Sequence, residues 1–269
     1  MWNKINLIDF KTKLESLTIK WWFYLILGFL FFLPSYSAIK YPTTEIPKTI
    51  VEILKNPIIF SYPIIFPVFK IFMLMMIWGI FFSNIRINRI FAFFISILLL
   101  AVSLFQNSAF TNDYGFVLLT GNCILQLVVA VSWLWEFLSP ENVYPKPKDF
   151  QWKWILVPLV FLSYWFPMDN AANPDFLITS LFTNGAMLTY CMITPVLLFL
   201  LIAAYPSVNV VTFRTTRFVG FLFGGMNMMN WFILNREFWW LGVLHLPLFL
   251  LAILALFLKT KNMGKDRIG

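Results

Sequence analysis

Charge is scarce in this chain of 269 residues: Asp, Glu, Lys and Arg make up 12% of it, against roughly 25% in an ordinary soluble domain. Too few polar side chains remain to coat a water-soluble globule of this size, which is therefore excluded. Histidine is nearly absent. With His245 as the single imidazole, bis-histidine haem ligation, a histidine-rich di-iron centre and HExxH zinc chemistry are ruled out, because each needs at least two. The two cysteines, Cys123 and Cys191, lie inside apolar runs and supply neither a disulfide framework nor a thiolate cage. A Walker A lysine motif, GxSxG, clustered aspartates and an arginine ladder are missing as well. These absences remove P-loop nucleotide binding, α/β-hydrolase chemistry, prenyl-diphosphate chemistry and voltage sensing. The sequence asks for no metal and no cofactor.

What remains is hydrocarbon. The chain is 60% hydrophobic and 20% aromatic, with 32 Phe and 12 Trp, and its mean hydropathy is +0.79. Crossing about 30 Å of lipid takes about 20 apolar residues as a helix. Runs at 21–37, 58–83, 88–106, 115–138, 153–167, 176–204, 218–234 and 239–258 predict eight transmembrane helices and an all-α integral membrane protein. The fifth run is the shortest. The expected organisation is an N-terminal segment 1–20, a multi-pass bundle over 21–258 and a basic tail 259–269. In the first segment Trp2, Ile5, Phe10, Leu14, Leu17 and Trp21 recur near helical spacing opposite Lys4, Lys11, Lys13 and Lys20, the pattern of an amphipathic helix at a membrane surface.

Lys and Arg test the eight-span reading, since short cytoplasmic loops carry the positive excess. With the N-terminus inside, 15 of the 20 fall on the inner side, four fall outside (Lys40, Lys48, Lys55, Arg236), and Lys70 is left within the membrane. Acids divide six and six. The inner face therefore carries nine positive charges in excess and the outer face two negative, which puts both termini in the cytoplasm and makes the bilayer, not nucleic acid, the partner of the net charge of +8. The short tails and loops suggest the cytoplasmic membrane of a cell.

The outer loops suggest a repeat of four helical hairpins. Asp113, Asp175 and Glu237 are spaced by 62 and 62 residues, and Glu52 precedes Asp113 by 61; Asn122 and Asn184 each follow nine residues after an acid, beside Gly121 and Gly185. Acids at the outer ends of returning helices are also ordinary N-terminal chemistry, so hairpins of similar length produce the same spacing. An outer loop at 38–57 holds Ile50, Val51, Ile53 and Leu54, which reads as a short capping helix.

Candidate ligand or pathway residues are those that are polar within apolar runs. Lys70, between Pro67 and a long apolar stretch, must snorkel or find a carboxylate, carbonyl or anionic ligand. Pro57, Pro63 and Pro67 break the same region, and broken segments are tolerated where they line a cavity. Asn122, Asn184, Asn227 and Asn230 are further polar points, and His245 is the one imidazole in a span. Gly220 and Gly224 form a GxxxG spacing for close helix packing. Glu136 lies near the inner interface, and the outer loop 167–175 is rich in oxygen ligands without regular calcium-loop spacing. Three functions fit: a non-catalytic subunit or scaffold of a membrane complex with other membrane proteins as partners, a small transporter or channel with its path near Lys70 and the Asn residues, and an enzyme acting on a lipid or quinone.

Overall fold

The computed structural model describes residues 4–40, 42, 50, 53–54, 56–82, 85–169 and 173–260. The helices are α1 (Lys4–Leu17), α2 (Trp21–Phe31), α3 (Phe66–Phe82), α4 (Ile85–Phe105), α5 (Thr120–Leu138), α6 (Val157–Trp165), α7 (Ser180–Thr183), α8 (Tyr190–Ala204), α9 (Val210–Met229) and α10 (Trp239–Phe257). Long runs of Leu, Ile and Phe adopt helix because it pairs every backbone N–H and C=O within the segment, which hydrocarbon demands. Among the described residues four helical segments are long and apolar enough to cross a membrane: Pro63–Phe82, Arg86–Phe105, Thr120–Leu138 and Arg236–Phe257. Two further pairs qualify as single bent passages, Ile8–Leu17 with Trp21–Phe31 at 70° and Ser180–Leu188 with Tyr190–Ala204 at 91°, giving up to six.

The local structure of several runs differs from unbroken helix, each for a readable reason. The run at 153–167 becomes a 3-10 turn, Gln151–Leu156, followed by the nine-residue α6, which stops at Phe166 in the left-handed region (φ 51°). Pro57 and Pro63 confine the start of the second run to 3-10 turns at Ile58–Ser61 and Pro63–Ile65, and regular helix begins only at Phe66. Conversely, α9 starts eight residues earlier than the apolar run because Asn209 caps it, its side-chain oxygen accepting from Val211 N and Thr212 N.

Beside the helices lies a three-stranded antiparallel sheet, β1 (Tyr36–Ser37), β2 (Ser108–Thr111) and β3 (Gly115–Leu118), with β3 in the middle. The all-helical expectation did not include it. Thr111 pairs with Gly115 across a three-residue turn, and Gly115 takes φ 65° as such a hairpin requires. Val117, Ala109, Tyr114 and Leu119 form a small separate core with Ile53 and Ile50 beneath the sheet. Of the expected capping helix, Val51 and Glu52 lie outside the described residues, as do Trp2, Asn170 and the tail from 261.

Helix α8 is the axis of the main core: every residue from Tyr190 to Ala204 except Cys191 is buried. Around it the helices approach closely where side chains are absent. A Cβ on Gly224 of α9 would stand 2.8 Å from the Cα of Phe249 on α10, and one on Gly121 of α5 would stand 2.6 Å from the carbonyl oxygens of Leu30 and Phe31 at the end of α2. Gly220 sits where three helices meet, with Thr194 and Leu198 of α8 and Leu248 of α10 at 3.3 to 3.5 Å from the same virtual atom.

These distances predict different outcomes for two adjacent glycines. Gly224→Ala forces backbone apart and is expected to cost about 1–3 kcal/mol. Gly225→Ala, whose nearest contact would be the Phe249 ring at 3.9 Å, is expected to be neutral or to stabilise by up to about 1 kcal/mol through helix propensity. Thermal unfolding in detergent measures both; equal effects at the two positions would contradict the packing described.

Candidate functional site

Lys70 does not snorkel. It is fully buried in α3, and its Nζ donates to the carbonyls of Tyr164 (2.9 Å) and Ser180 (3.1 Å). Those carbonyls belong to the last turn of α6 and the first residue of α7, so a single ammonium joins three helices. Tyr164 answers in kind: its hydroxyl donates to the Lys70 carbonyl at 3.0 Å, and its ring lies 5.1 Å from Nζ. The end of α6 has no intrahelical partners for its final carbonyls and carries partial negative charge, which makes it a natural seat for a cation. Asn184 completes the same closure, donating from Nδ2 to the carbonyls of Trp165 (2.7 Å) and Phe166 (3.0 Å) and accepting from Ala186 N. Trp165 Nε1 donates to Ser180 Oγ at 2.9 Å. Lys70 and Asn184, far apart in sequence, thus meet at one broken helix end.

The other candidates lie elsewhere. Asn227 donates to the carbonyl of Phe223 at 2.8 Å and to Cys191 Sγ at 3.5 Å, and accepts from Trp231 Nε1. Asn230 accepts from Asn235 Nδ2 at 2.8 Å and opens a π-helical turn, Asn230–Leu234, in which Asn235 N returns to its carbonyl. His245 places Nδ1 2.7 Å from the Leu241 carbonyl one turn back; since a carbonyl only accepts, Nδ1 carries the proton. Its ring lies between Phe166 and Trp231, with centroids 6.3 and 6.4 Å away. Asn122 is half-buried in the first turn of α5, and its side chain makes no hydrogen bond to another described residue. The acids of the proposed repeat occupy unlike settings: Asp113 lies in the β2–β3 turn, Asp175 accepts from Leu177 N in a loop, and Glu237 belongs to a 3-10 turn.

At the opposite end of the bundle, four cations repeat what Lys70 does. Arg89 Nε donates to the Phe137 carbonyl at the end of α5 (2.8 Å), and Lys153 Nζ to Ala203 and Tyr205 at the end of α8 (2.7 and 3.4 Å). Arg217 donates to Ala255 and Leu258 at the end of α10 (2.9 and 2.8 Å), and Arg214 to Glu15 near the end of α1 (3.1 Å). Helix α1 is further tied down by the ion pair of Lys11 with Glu141 and by Phe10 against Trp135.

Sequence reasoning missed the polar knot beside them. Glu136, 1% exposed, accepts from the backbone N–H groups of Glu141 and Asn142 and so closes the turn after α5. Asn142 accepts from Asn209 N and donates weakly to the Tyr144 hydroxyl, while its carbonyl accepts from Asn88 Nδ2. Burial first, and the Glu136 charge second, hold the Tyr144 phenol well above its ordinary range, so it stays neutral. From the sequence, Glu136 stands out only by its place near the inner interface and Asn209 does not stand out; their partners follow from folding back of the loop.

One cavity of about 280 Å³ opens beside the proline-broken segment, lined by Ile58, Ile59, Tyr62, Ile65, Phe69, Ile97, Leu98, Ala101, Phe105 and Leu188. It is walled by apolar groups and does not expose the Lys70 ammonium, which is committed to Tyr164 and Ser180. Among the described residues no group of three or more His, Cys, Asp or Glu is placed to hold a metal ion.

The chain matches no family model, no curated protein and no solved structure. Its architecture, mostly helical with four to six helices among the described residues long and apolar enough to span a membrane, fits a membrane-embedded protein.

Lys70→Met leaves two buried carbonyls unpaired, at about 1–3 kcal/mol each, and is expected to lower the unfolding midpoint in detergent substantially. Tyr164→Phe, which removes one hydroxyl donor, is expected to cost about 1 kcal/mol. Wild-type stability of Lys70→Met would show that the ammonium does not join α3, α6 and α7.

Proposed function

We propose that this protein is a non-catalytic subunit or scaffold of a membrane protein complex, embedded in the cytoplasmic membrane with eight passages and both termini in the cytoplasm. The observation that carries the reading is the use made of polar side chains. Lys70, Asn184, Asn227, Asn230 and His245 each spend hydrogen bonds on this chain's own groups: Lys70, Asn184 and Asn230 at helix ends and turns, Asn227 and His245 on the carbonyl one turn back in their own helices. A transport path or a lipid- or quinone-directed active site needs such groups turned toward a ligand.

The passage count is supported by the helix order. Helices α5, α8 and α10 end where cations meet their carbonyls, and α4 and α9 start at that same end, where Asn88 and Asn209 meet Asn142. Counting α2, and taking α6 with its 3-10 turn and α7 with α8 as single passages, gives eight.

A partner surface is offered by α3. Only 22% of the apolar window of Pro63–Phe82 is buried within the chain, and Val68, Met75 and Trp78 of α3, with Ile64 in the turn before it, are 64%, 57%, 68% and 84% exposed. Without a hydrophobic driving force between helices in lipid, association relies on shape and on adaptable groups such as Met and aromatic rings.

Native mass spectrometry of the protein extracted from its own membrane tests the proposal. The expected result is a stoichiometric protein partner that is lost in Val68→Asp together with Trp78→Ala, while the isolated chain keeps its unfolding midpoint. A lone chain that moves a solute in liposomes, with transport abolished by Lys70→Ala in a still-folded protein, would overturn it in favour of transport.

A further inference from the structure

Apart from Arg86, the cations whose side chains are described at the end of the bundle where α5, α8 and α10 finish fall into two groups. Arg89, Lys153, Arg214 and Arg217 are occupied by helix carbonyls, and Lys11 pairs with Glu141 and Glu15. Lys13, Lys20, Lys146, Lys148 and Lys259 are exposed, and none of these five forms an ion pair among the described residues. The exposed acids nearby are Asp9 and Asp149. At the opposite end the balance reverses, with Lys40 and Arg236 against Asp113, Asp169, Asp175 and Glu237.

Lys20 and the pair Lys146 and Lys148 are accompanied by tryptophans that set their depth. Trp21 and Trp22 follow Lys20 and are 73% and 38% exposed; Trp152 and Trp154 follow Lys148 and are 52% and 50% exposed. Lys20 Nζ lies 5.8 Å from the centre of the Trp22 ring. Exposed Trp settles at the level of lipid headgroups, so the adjacent ammonium groups stand at phosphate height.

We propose that this end of the protein is a seat for acidic phospholipid headgroups, with Lys13, Lys20, Lys146, Lys148 and Lys259 as its contacts. The inference rests on the reading of this end as the cytoplasmic one. Charge complementarity selects the lipid: an anionic leaflet strengthens attachment by roughly fivefold for each Lys or Arg near its surface, and these five side chains form no ion pair among the described residues. Zwitterionic headgroups bring no net charge, and an acidic protein surface does not explain the flanking tryptophans.

The test uses the full chain in nanodiscs of mixed phosphatidylcholine and phosphatidylglycerol, with the lipids retained on mild detergent extraction counted by mass spectrometry. Wild type is expected to keep phosphatidylglycerol in several-fold excess over phosphatidylcholine, and the excess is expected to fall as sodium chloride is raised. The variant carrying Lys13→Gln, Lys20→Gln, Lys146→Gln, Lys148→Gln and Lys259→Gln is expected to lose that excess with its unfolding midpoint in pure phosphatidylcholine unchanged, whereas Lys40→Gln with Arg236→Gln keeps it. Equal retention of the two lipids by wild type, or an undiminished excess in the five-site variant, overturns the proposal; so does a five-site variant that binds phosphatidylglycerol normally but loses an acidic protein partner. Labelling of Lys146→Cys separates the orientation from the seat: reaction only from outside the cell overturns the orientation alone, while loss of preference with inside labelling leaves the orientation standing.

Discussion

The structure depends on positive charge delivered to the carbonyl ends of helices. Every helix finishes with carbonyls that have no partner of their own and with the negative end of its dipole. In water such an end is solvated; in hydrocarbon it must be closed by protein. Here Lys70, Arg89, Lys153, Arg214 and Arg217 close the ends of α6, α5, α8, α1 and α10. Each cation comes from a different element than the helix it closes, so each also joins two parts of the chain.

That arrangement explains how so broken a chain holds one shape. Prolines and the short runs leave α6 at nine residues and α7 at four, lengths too small to satisfy themselves. Lys70 and Asn184 bind the loose ends of both to α3 and to the turn before α8. Around α8, close glycine approaches at Gly121, Gly220 and Gly224 let neighbouring helices pack without side chains between them. Edge-to-face aromatic contacts, such as Phe31 on Phe223 at 5.4 Å and Phe150 on Phe199 at 5.6 Å, fill the remaining seams. The aromatic richness of the sequence thereby has a packing role as well as an interfacial one.

Much of the helical architecture was legible because apolar run length and the distribution of Lys and Arg are one-dimensional signals. The break before Phe66 was legible from its prolines, whereas the start of α9 at Val210, ahead of the run at 218–234, was not. The sheet was less so: its three-residue turn from Asn112 stands in a short loop, β3 falls inside the run at 115–138 that reads as helix, and β1 pairs with β3 from 80 residues or more away. Partners were not legible at all. Nothing local tells that Lys70 faces Tyr164 and Ser180, that Arg217 reaches Ala255, or that Glu136 closes a turn through Asn142, since each contact is set by which helices become neighbours. Lys70 was open between lipid surface and interior for that reason, and the fold places it in the interior against carbonyls.

The central claim is that intramembrane charge here is structural. It is tested most directly by an experimental density map of the protein taken from its own membrane with native lipid, inspected around Lys70 Nζ. The account predicts density bridging Nζ only to the carbonyls of Tyr164 and Ser180, with the Tyr164 ring beside it. A bound anion, a substrate-sized feature or a water-filled path reaching that ammonium would contradict it.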